Sequence, residues 1–481
     1  MSDPTAEAQQ VLARNLPMSC CITSLAHAGS GERVLMQGAR VAMANRGHTG
    51  TSLPRLHRHI CNFLRRNRIY PVVSEANDQT VEIQKAESIV PPLHIGPASM
   101  TSEGVTTHDA ADAFRQWKDR KRYWWPLALL IPLSPFVSWL LVEYLHWGLF
   151  WATGAWILLL LVPIVDFIAG PDGHNPPREA IAALQEDRYY RWCTYLFVPL
   201  QYSGLLFACW CWVHAPMATG EKIALSMTVG VVAGVGINAA HELGHKSETH
   251  ERWLAKIVLV QSLYGHFYVE HNHGHHVKVA TPHDPASARF GESFWMFLPR
   301  SVIGGCRSAW AIEAARLRRR GRRVLSLGNS ILQTWAMSAA LFVALIAGFG
   351  WQIVPWLFLQ AFAGITFLEA ANYLEHYGLL RARRSDGSFV KARPEDSWNS
   401  DHLVSNLFLY QLQRHSDHHA NPRLRYQSLR SAPDAPQLPA GYAVMIVCAA
   451  IPPLWRAVMD RRVLDYYDGN IELMHTRTTL R

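Results

Sequence analysis

The segment WGLFWATGAWILLLLVPIVDFI, at residues 147–168, is strongly apolar and carries a single charged side chain, Asp166. A transmembrane helix needs roughly 20 mainly apolar residues to cross the hydrocarbon core of a bilayer. Five other blocks of this kind occur in the chain of 481 residues, which is 49% hydrophobic and contains 18 Trp. We therefore predict six transmembrane helices, at approximately 124–145, 147–168, 192–214, 222–240, 329–349 and 351–371.

The chain outside these blocks divides into two regions. Residues 1–112 contain no long apolar block and no sustained hydrophobic period, so we expect an N-terminal extension that is poorly ordered. Residues 113–481 are expected to form the membrane domain. No secretory signal pattern is evident at the N-terminus. Met100 lies just upstream of the organised region, and we consider it as an alternative start.

Lys and Arg are concentrated in three connections, at 115–122, 177–191 and 316–323. The positive-inside rule places such connections in the cytoplasm, and six crossings return both termini to the same side. The histidine-rich segments described below all follow the fourth or the sixth helix, so they share this side. The predicted fold class is all-α: an integral-membrane bundle of six transmembrane helices with a cytoplasmic histidine-rich helical region.

The histidines form four compact clusters: HELGHK at 241–246, EHNHGHH at 270–276, NYLEHYG at 372–378 and LQRHSDHHA at 412–420. A spacing of four residues puts two imidazoles on one side of a helix. This spacing occurs in three of the clusters, and the fourth supplies a single ring. The nine imidazoles that can therefore converge are those of His241, His245, His271, His275, His276, His376, His415, His418 and His419.

Nine imidazoles exceed the three or four protein ligands that a single metal ion usually takes, so the sequence predicts two metal ions with open positions for a small reactant. A ligand set made almost entirely of nitrogen suits Fe, Zn, Cu or Ni, and the residues alone do not select among them. The eight cysteines show no CxxC pair and no zinc or iron–sulfur spacing. Any electron-carrying centre built on thiolates must therefore belong to another chain.

Acidic residues accompany the histidine clusters, and metal-bound imidazoles usually donate their second N–H to a carboxylate or a carbonyl. Glu375 is assigned a catalytic role, and its direct ligation of a metal stays an open alternative. Of the other histidines, those at positions 250, 266, 273, 283 and 402 are expected to be structural, solvated or peripheral. The acids that we predict to support the metal-binding imidazoles are Glu242, Glu270, Asp284 and Asp417.

Three further features have a structural and a functional interpretation. Trp139 is expected to pack at the membrane interface, with a role in lining a substrate channel as the alternative. The basic segment RLRRRGRR at 316–323 is typical of a cytoplasmic face near lipid headgroups, and the alternative is a docking patch for an acidic protein. Asp166 and Asn238, near the inner ends of predicted helices, are polar groups at depth and hence functional candidates.

The strings HELGHK, EHNHGHH, ATPHDPASARFGES, NYLEHYGLL and LQRHSDHHA closely resemble the signature of the membrane alkane 1-monooxygenase (alkane hydroxylase) family. The resemblance covers roughly residues 114–465 and includes NPP at 175–177 and SWNS at 397–400. The iron-binding histidines of the family match the same nine positions that spacing selects. Two positions depart from the pattern: the family often has Lys or Arg in place of His273, and a different residue in place of His283.

This resemblance implies a non-haem di-iron enzyme that uses O₂ as co-substrate to oxidise the terminal methyl group of medium- or long-chain n-alkanes to primary alcohols. It also implies rubredoxin as the electron donor, reduced in turn by an NADH-dependent rubredoxin reductase. The chain itself has no flavin or nicotinamide fingerprint, and no nucleic-acid partner is expected. We expect the protein in the inner (plasma) membrane of a bacterium, with both termini and the metal site in the cytoplasm.

Two alternative functions stay open from the sequence. Another histidine-box membrane oxygenase, such as a fatty-acid desaturase, a fatty-acid or sterol-type hydroxylase or a xylene-type methyl hydroxylase, would use similar metal chemistry on a different substrate. A metal transporter or sensor would place its ligands along a path at mid-depth in the membrane. The predicted position of the histidines at the inner helix ends disfavours the transporter.

Overall fold

The computed structural model describes residues 117–479. The predictions for residues 1–112 and for Met100 lie outside this range. Between residues 117 and 479 the secondary structure is helical, and extended pairing is limited to isolated bridges such as the one between Pro171 and His402. The predicted all-α fold class is confirmed.

The described chain contains six helices that are long and apolar enough to cross a membrane, as predicted. Short turns join α1 to α2, α3 to α4 and α8 to α9, so consecutive spans run in opposite directions. α9 continues beyond the predicted end near residue 371 and carries His376 in its last turn. The six spanning helices are α1 (Arg122–Leu145), α2 (Gly148–Ala169), α3 (Arg188–His214), α4 (Thr219–Gly244), α8 (Ser330–Phe349) and α9 (Trp351–His376).

Shorter helices and one long amphipathic helix lie in the connections and after α9. A π-helical turn, His271–His275, and a short helical segment, His276–Lys278, follow α6 directly. These helices include α5 (Thr249–Val260), α6 (Phe267–Glu270), α7 (Phe294–Arg319), α10 (Leu403–Phe408), α11 (His415–Ala420), α12 (Tyr442–Ala450) and α13 (Pro452–Tyr466). A further short helix, Ile181–Glu186, precedes α3.

α4 is the central helix of the membrane bundle. In the most apolar 18-residue stretch of α4, 83% is buried, whereas the corresponding share is 28% in α2 and in α8. Its most extensive interface is with α9, and α1, α3 and α5 also pack on it. The interior of α4 is rich in Gly, Ala and Val, which allow neighbouring helices to approach closely where lipid provides no hydrophobic drive for association. The position of α4 therefore fixes the histidines at its end.

Glycines set the distance between α4 and α9. A Cβ atom placed on Gly230 would lie 2.5 Å from the Cβ of Ala363, and one placed on Gly364 would lie 2.8 Å from the Cβ of Ala233. Both distances are too short for two carbon atoms. Gly234 lies one turn further along α4, against Phe367. The two helices thus pack backbone to backbone, and this contact aligns their histidine-bearing ends.

Asp166 and Asn238 attach the segment after α9 to the bundle. The Asp166 carboxylate accepts hydrogen bonds from the backbone N–H groups of Val404, at 2.7 Å, and Ser405, at 3.0 Å, and so satisfies the first turn of α10. The Asn238 amide donates to the Leu409 carbonyl at 2.7 Å. These two polar groups at depth have an anchoring role in this structure.

We expect Gly230→Ala to destabilise the bundle, because the added methyl group must separate α4 from α9. Overpacking of this kind typically costs about 1–3 kcal/mol. The matched control is Gly220→Ala near the start of α4, where an added Cβ meets nothing within 4 Å. Thermal unfolding in detergent should show a lower midpoint for Gly230→Ala and an unchanged or higher one for Gly220→Ala. Equal midpoints would contradict the close packing of α4 and α9.

Candidate metal centre

Two histidines at the end of α4 point towards one region beyond the bundle. His241 lies in the last turn of α4, and His245 follows four residues later, so both rings lie on one side of the helix. Their ring centroids are 5.1 Å apart. Neither Nε2 atom has a hydrogen-bond partner although both atoms are buried.

The π-helical turn at residues 271–275 distributes its histidines in two directions. Hydrogen bonds in a π-helix connect residue i to residue i+5, so residues five apart approach each other. The Nε2 atoms of His271 and His276 are accordingly 3.0 Å apart. His275 faces the other way, towards His376 and His419, with ring centroids 5.1 and 5.0 Å away. A spacing of four keeps two rings on one side of a regular α-helix, whereas in this π-helical turn His271 and His275 belong to different groups.

The histidines of α11 also point in two directions. The His418 Nε2 lies 3.2 Å from the His276 Nε2. On the other side, the His415 Nε2 lies 3.2 Å from the His376 Nε2 and 2.9 Å from the His419 Nε2. Residues four apart, His415 and His419, thus act together, while His418 turns to the opposite group.

The nine predicted histidines therefore come together as two groups. Within each group, one ring nitrogen of every member lies within 4.8 Å of the others. The groups adjoin each other, since the rings of His276 and His419 are 4.4 Å apart between centroids. The first group consists of His241, His245, His271, His276 and His418, and the second of His275, His376, His415 and His419.

The donor chemistry of both groups fits a bound cation. The His415 Nε2 faces two other imidazole nitrogens and a carboxylate oxygen, and a single N–H can satisfy only one of them. Burial, reinforced by the neighbouring imidazoles, holds the pKa of His271 and His418 well below the usual value. Neutral imidazole is the form that binds metals. Each group could thus hold one metal ion through converging lone pairs.

Asp284 and Asp396 orient two rings of the second group. The Asp284 carboxylate lies 2.9 Å from the Nδ1 of His275 and also accepts from the Ser287 hydroxyl at 2.6 Å. The Asp396 carbonyl lies 3.1 Å from the Nδ1 of His376. With the proton held on Nδ1, each Nε2 lone pair is free to face the group.

Glu375 is placed where it can contribute an oxygen to the second group. Its Oε2 lies 3.3 Å from the Nε2 of His415, and its Oε1 has no partner although it is buried. This geometry keeps direct metal ligation open for Glu375. It also distinguishes the second group, with four imidazoles and one carboxylate, from the first, with five imidazoles.

The other three acids have different surroundings. Glu242 pairs with Lys246 at 3.0 Å and accepts from the Tyr426 backbone N–H. Asp417 accepts from the Asn421 side chain and the Arg430 backbone N–H. Glu270 is buried with no hydrogen-bond partner for either oxygen, and burial raises its pKa to about 7. It lines a small cavity together with His271 and His275.

The peripheral residues lie away from the two groups. His273 is exposed, as is His283, and neither belongs to a group. The Trp139 ring packs edge-on against Phe207, with centroids 6.0 Å apart, in an apolar cluster that includes Trp151. A channel-lining role for Trp139 stays a prediction.

A buried ionic network, which the sequence analysis did not identify, fixes the start of α11. The Arg414 guanidinium is fully buried and donates to Asp172 at 2.7 Å and to Asp401 at 3.0 Å. It also donates to the Leu429 carbonyl at 2.7 Å, to the His174 carbonyl at 3.2 Å and to the Asn175 side-chain oxygen at 3.4 Å. Two features of the sequence could have indicated this network: Asn175 belongs to the NPP motif, and Arg414 directly precedes His415. The network holds the histidines of α11 against the connection after α2.

Comparisons with known proteins agree with this arrangement. A family model described as fatty acid desaturase matches residues 222–449. The chain is 44% identical to alkane 1-monooxygenase of Ectopseudomonas oleovorans over 375 residues, which cover 78% of this chain and 93% of that protein. It is 42% identical to alkane 1-monooxygenase 1 of Alcanivorax borkumensis over 384 residues, covering 79% and 95% of the two chains.

A more distant relative is the hydroxylase component of xylene/toluene monooxygenase of Pseudomonas putida. The identity is 28% over 233 residues, covering 48% of this chain and 60% of that protein. The alkane monooxygenases match at higher identity and over nearly their whole length. The resemblance inferred from the histidine motifs is thus confirmed, and the chain belongs to the alkane 1-monooxygenase family of integral-membrane oxidoreductases.

Proposed function

We propose that this protein hydroxylates the terminal carbon of medium- or long-chain n-alkanes with O₂ at a pair of iron ions. The observation that carries the proposal is the division of nine histidines into two adjoining groups. A transporter would require ligands along a path, whereas these groups lie together at the ends of α4 and α9. The printed names of the relatives support the alkane as substrate class.

The substrate supports the choice of iron over the other metals that imidazole can bind. An alkane carries no charge and no acidic proton, so acid–base catalysis alone has no group to act on. Iron bound in the two groups would supply the redox chemistry that inserts one atom of O₂ into a C–H bond and releases the other as water, with two electrons and two protons from outside. The residues of the chain would bind, orient and shield this centre.

Two rigid elements would set the separation of the irons. The turn at residues 271–275, with its neighbour His276, contributes to both groups, and so does α11. Neither element can move one group without moving the other. Asp284 would keep the proton of His275 on Nδ1, and Asp396 would do the same for His376. Each Nε2 would then stay available as a ligand.

The immediate surroundings limit the space beside His271 and His275. A cavity of about 20 Å³ is lined by His271, His275 and Phe267, among others, and has room for roughly one small molecule. The Phe267 ring stacks on that of His271, with centroids 4.9 Å apart. A narrow apolar approach would admit the end of a chain before its inner methylenes. Partition into the bilayer already concentrates an alkane by about 0.8 kcal/mol per CH₂.

The electron donor we propose is rubredoxin, supplied by an NADH-dependent rubredoxin reductase. A surface cavity of about 480 Å³ is lined by basic side chains that include Lys278, Arg289 and Arg307, and Asp284 lies in its wall. Asp284 in turn contacts His275. A small acidic carrier bound at this cavity would come close to the second group. Screening by salt should weaken such a contact.

We further propose that the membrane is the bacterial inner membrane and that the histidine groups face the cytoplasm. The basic connections, including 117–122 and 316–323, lie on the same side of the bundle as the ends of α4 and α9, by the alternation of the spans. The positive-inside rule assigns that side to the cytoplasm. Reduced carriers and NADH are available there.

Substituting one histidine in either group should remove the iron of that group and leave the iron of the other group bound. We expect wild-type protein purified without oxygen to contain two irons per chain, and His245→Ala and His415→Ala each to retain about one. His273→Ala is the matched control, because His273 is exposed and outside both groups. Elemental analysis of protein with unchanged thermal stability measures this. Full iron content in both ligand variants would contradict the assignment.

Product analysis tests the reaction and the role of Phe267. With reduced rubredoxin, O₂ and n-octane, the wild type should form 1-octanol, and an acyl thioester offered instead should not react. Phe267→Leu should raise the 2-octanol fraction several-fold, because the cavity beside His271 widens. Phe297→Leu is the control, since Phe297 packs on Tyr373 instead. Preferential conversion of the acyl thioester would favour a desaturase or a fatty-acid hydroxylase.

The docking site can be distinguished from the alternative patch at 316–323. Arg307 is exposed and lines the basic cavity, whereas Arg319 is exposed at the end of α7. We expect Arg307→Glu to raise the KM for rubredoxin about tenfold and to weaken its salt dependence, with kcat at saturating carrier nearly unchanged. Arg319→Glu should have a small effect. The reverse order would place docking on the 316–323 segment.

A further inference from the structure

A large cavity lies beside the first turns of α1, the last turns of α2 and α10. Its volume is about 1140 Å³, above the roughly 300–1000 Å³ typical of small-molecule sites. Of the described residues that line it, none belongs to the two histidine groups. The cavity is thus a site separate from the metal centre.

The walls of the cavity are apolar and face the bilayer. Leu127 from α1, Leu161 and Val165 from α2, and Leu403 and Leu407 from α10 line it. Leu161 is 52% exposed, so this wall continues into the lipid-facing surface of α2. An alkyl chain in the cavity would therefore extend directly into the hydrocarbon core.

The mouth of the cavity carries two cations without an acidic partner. Lys118 and Arg120 line it, are exposed, and form no ion pair within residues 117–479. Asp119, between them, accepts hydrogen bonds from the Trp125 indole at 3.0 Å and the Tyr190 hydroxyl at 2.9 Å. Its carboxylate is thus directed inwards. The mouth is left with an uncompensated positive charge.

The position of the cavity matches a lipid headgroup region. α1 begins and α2 ends here, on the side of the bundle that carries the histidines. Trp117 and Trp124 line the cavity, and Trp is enriched at membrane interfaces. Basic pockets beside transmembrane helices bind anionic headgroups. An n-alkane has no charge that Lys118 and Arg120 could recognise.

We propose that this cavity binds an anionic phospholipid from the leaflet on the histidine side. Lys118 and Arg120 hold the phosphate, and an acyl chain lies along Leu127, Leu161 and Leu407. The lipid then covers α10, whose first turn is held by Asp166, and lies beside the ion pair of Lys121 with Asp172. Asp172 is the partner of Arg414, next to His415. Lipid binding therefore stabilises the segment that presents the histidines of α11.

The test uses the full-length iron-loaded protein in a neutral detergent. Dioleoyl phosphatidylglycerol should bind, as seen by native mass spectrometry, and should raise the midpoint of thermal unfolding. Dioleoyl phosphatidylcholine and glycerol 3-phosphate should do neither at the same concentration. In Lys118→Gln/Arg120→Gln the apparent affinity for phosphatidylglycerol should fall by about tenfold or more. Both substituted side chains are exposed, so folding is preserved.

The matched control is Arg384→Gln/Lys391→Gln, which removes two exposed charges from the loop after α9, outside the cavity. This variant should bind phosphatidylglycerol like the wild type. Leu407→Trp, which fills the cavity, should weaken binding without changing the charge. Equal binding by the wild type and the Lys118→Gln/Arg120→Gln variant would overturn the proposal. So would equal effects of the two phospholipids, an equal effect of glycerol 3-phosphate, or displacement of the lipid by n-hexadecane.

Discussion

The structure depends on nine imidazole rings whose nitrogens converge on two neighbouring points in a buried space. The His415 Nε2, for example, faces two other imidazole nitrogens and the Glu375 carboxylate, and its single N–H can satisfy only one of them. Burial also lowers the pKa of His271 and His276 well below the usual value, which favours their neutral form. A pair of cations would resolve this arrangement, because each ion would accept several lone pairs at once. Everything else in the fold can be understood as the means of holding these rings in place.

The membrane bundle provides the rigid part of this support. Gly230 and Gly364 let α4 and α9 pack backbone to backbone, so His241 and His376 end two helices whose relative position is fixed. The segment after α9 is then attached by polar contacts at depth, among them those of Asp166. The buried Arg414 completes the attachment next to α11. Packing thus positions two segments, and buried hydrogen bonds position the others.

The sequence predicted much of this arrangement because two simple physical rules apply: one sets the length of a spanning helix, and the other sets which residues share a helix face. The thickness of the hydrocarbon core determines the length of a spanning helix, and all six predicted spans correspond to helices. The spacing of four identified the histidines that come together, since residues four apart share a helix face. Spacing did not predict the division within α11, where His418 joins the opposite group from His415 and His419 although residues three apart also share a helix face.

Other features could not be read from spacing. The π-helical turn changes the partner of His271 from His275 to His276, and helical propensity gives no signal for such a turn. Three of the four predicted acids, Glu242, Glu270 and Asp417, adjoin one of the nine histidines in sequence, but a neighbouring residue points about 100° away around a helix. Glu242 accordingly pairs with Lys246, while Asp284 reaches His275 from a separate loop. Long-range contacts such as that of Arg414 with Asp172 depend on tertiary structure alone.

The most direct test of the two-group centre is X-ray absorption at the iron K edge on anaerobically purified, reduced protein, combined with the iron-to-protein ratio. The account predicts two irons per chain, each surrounded by nitrogen and oxygen donors with strong imidazole multiple scattering and no sulfur. A single iron per chain, or a sulfur-containing shell, would contradict it.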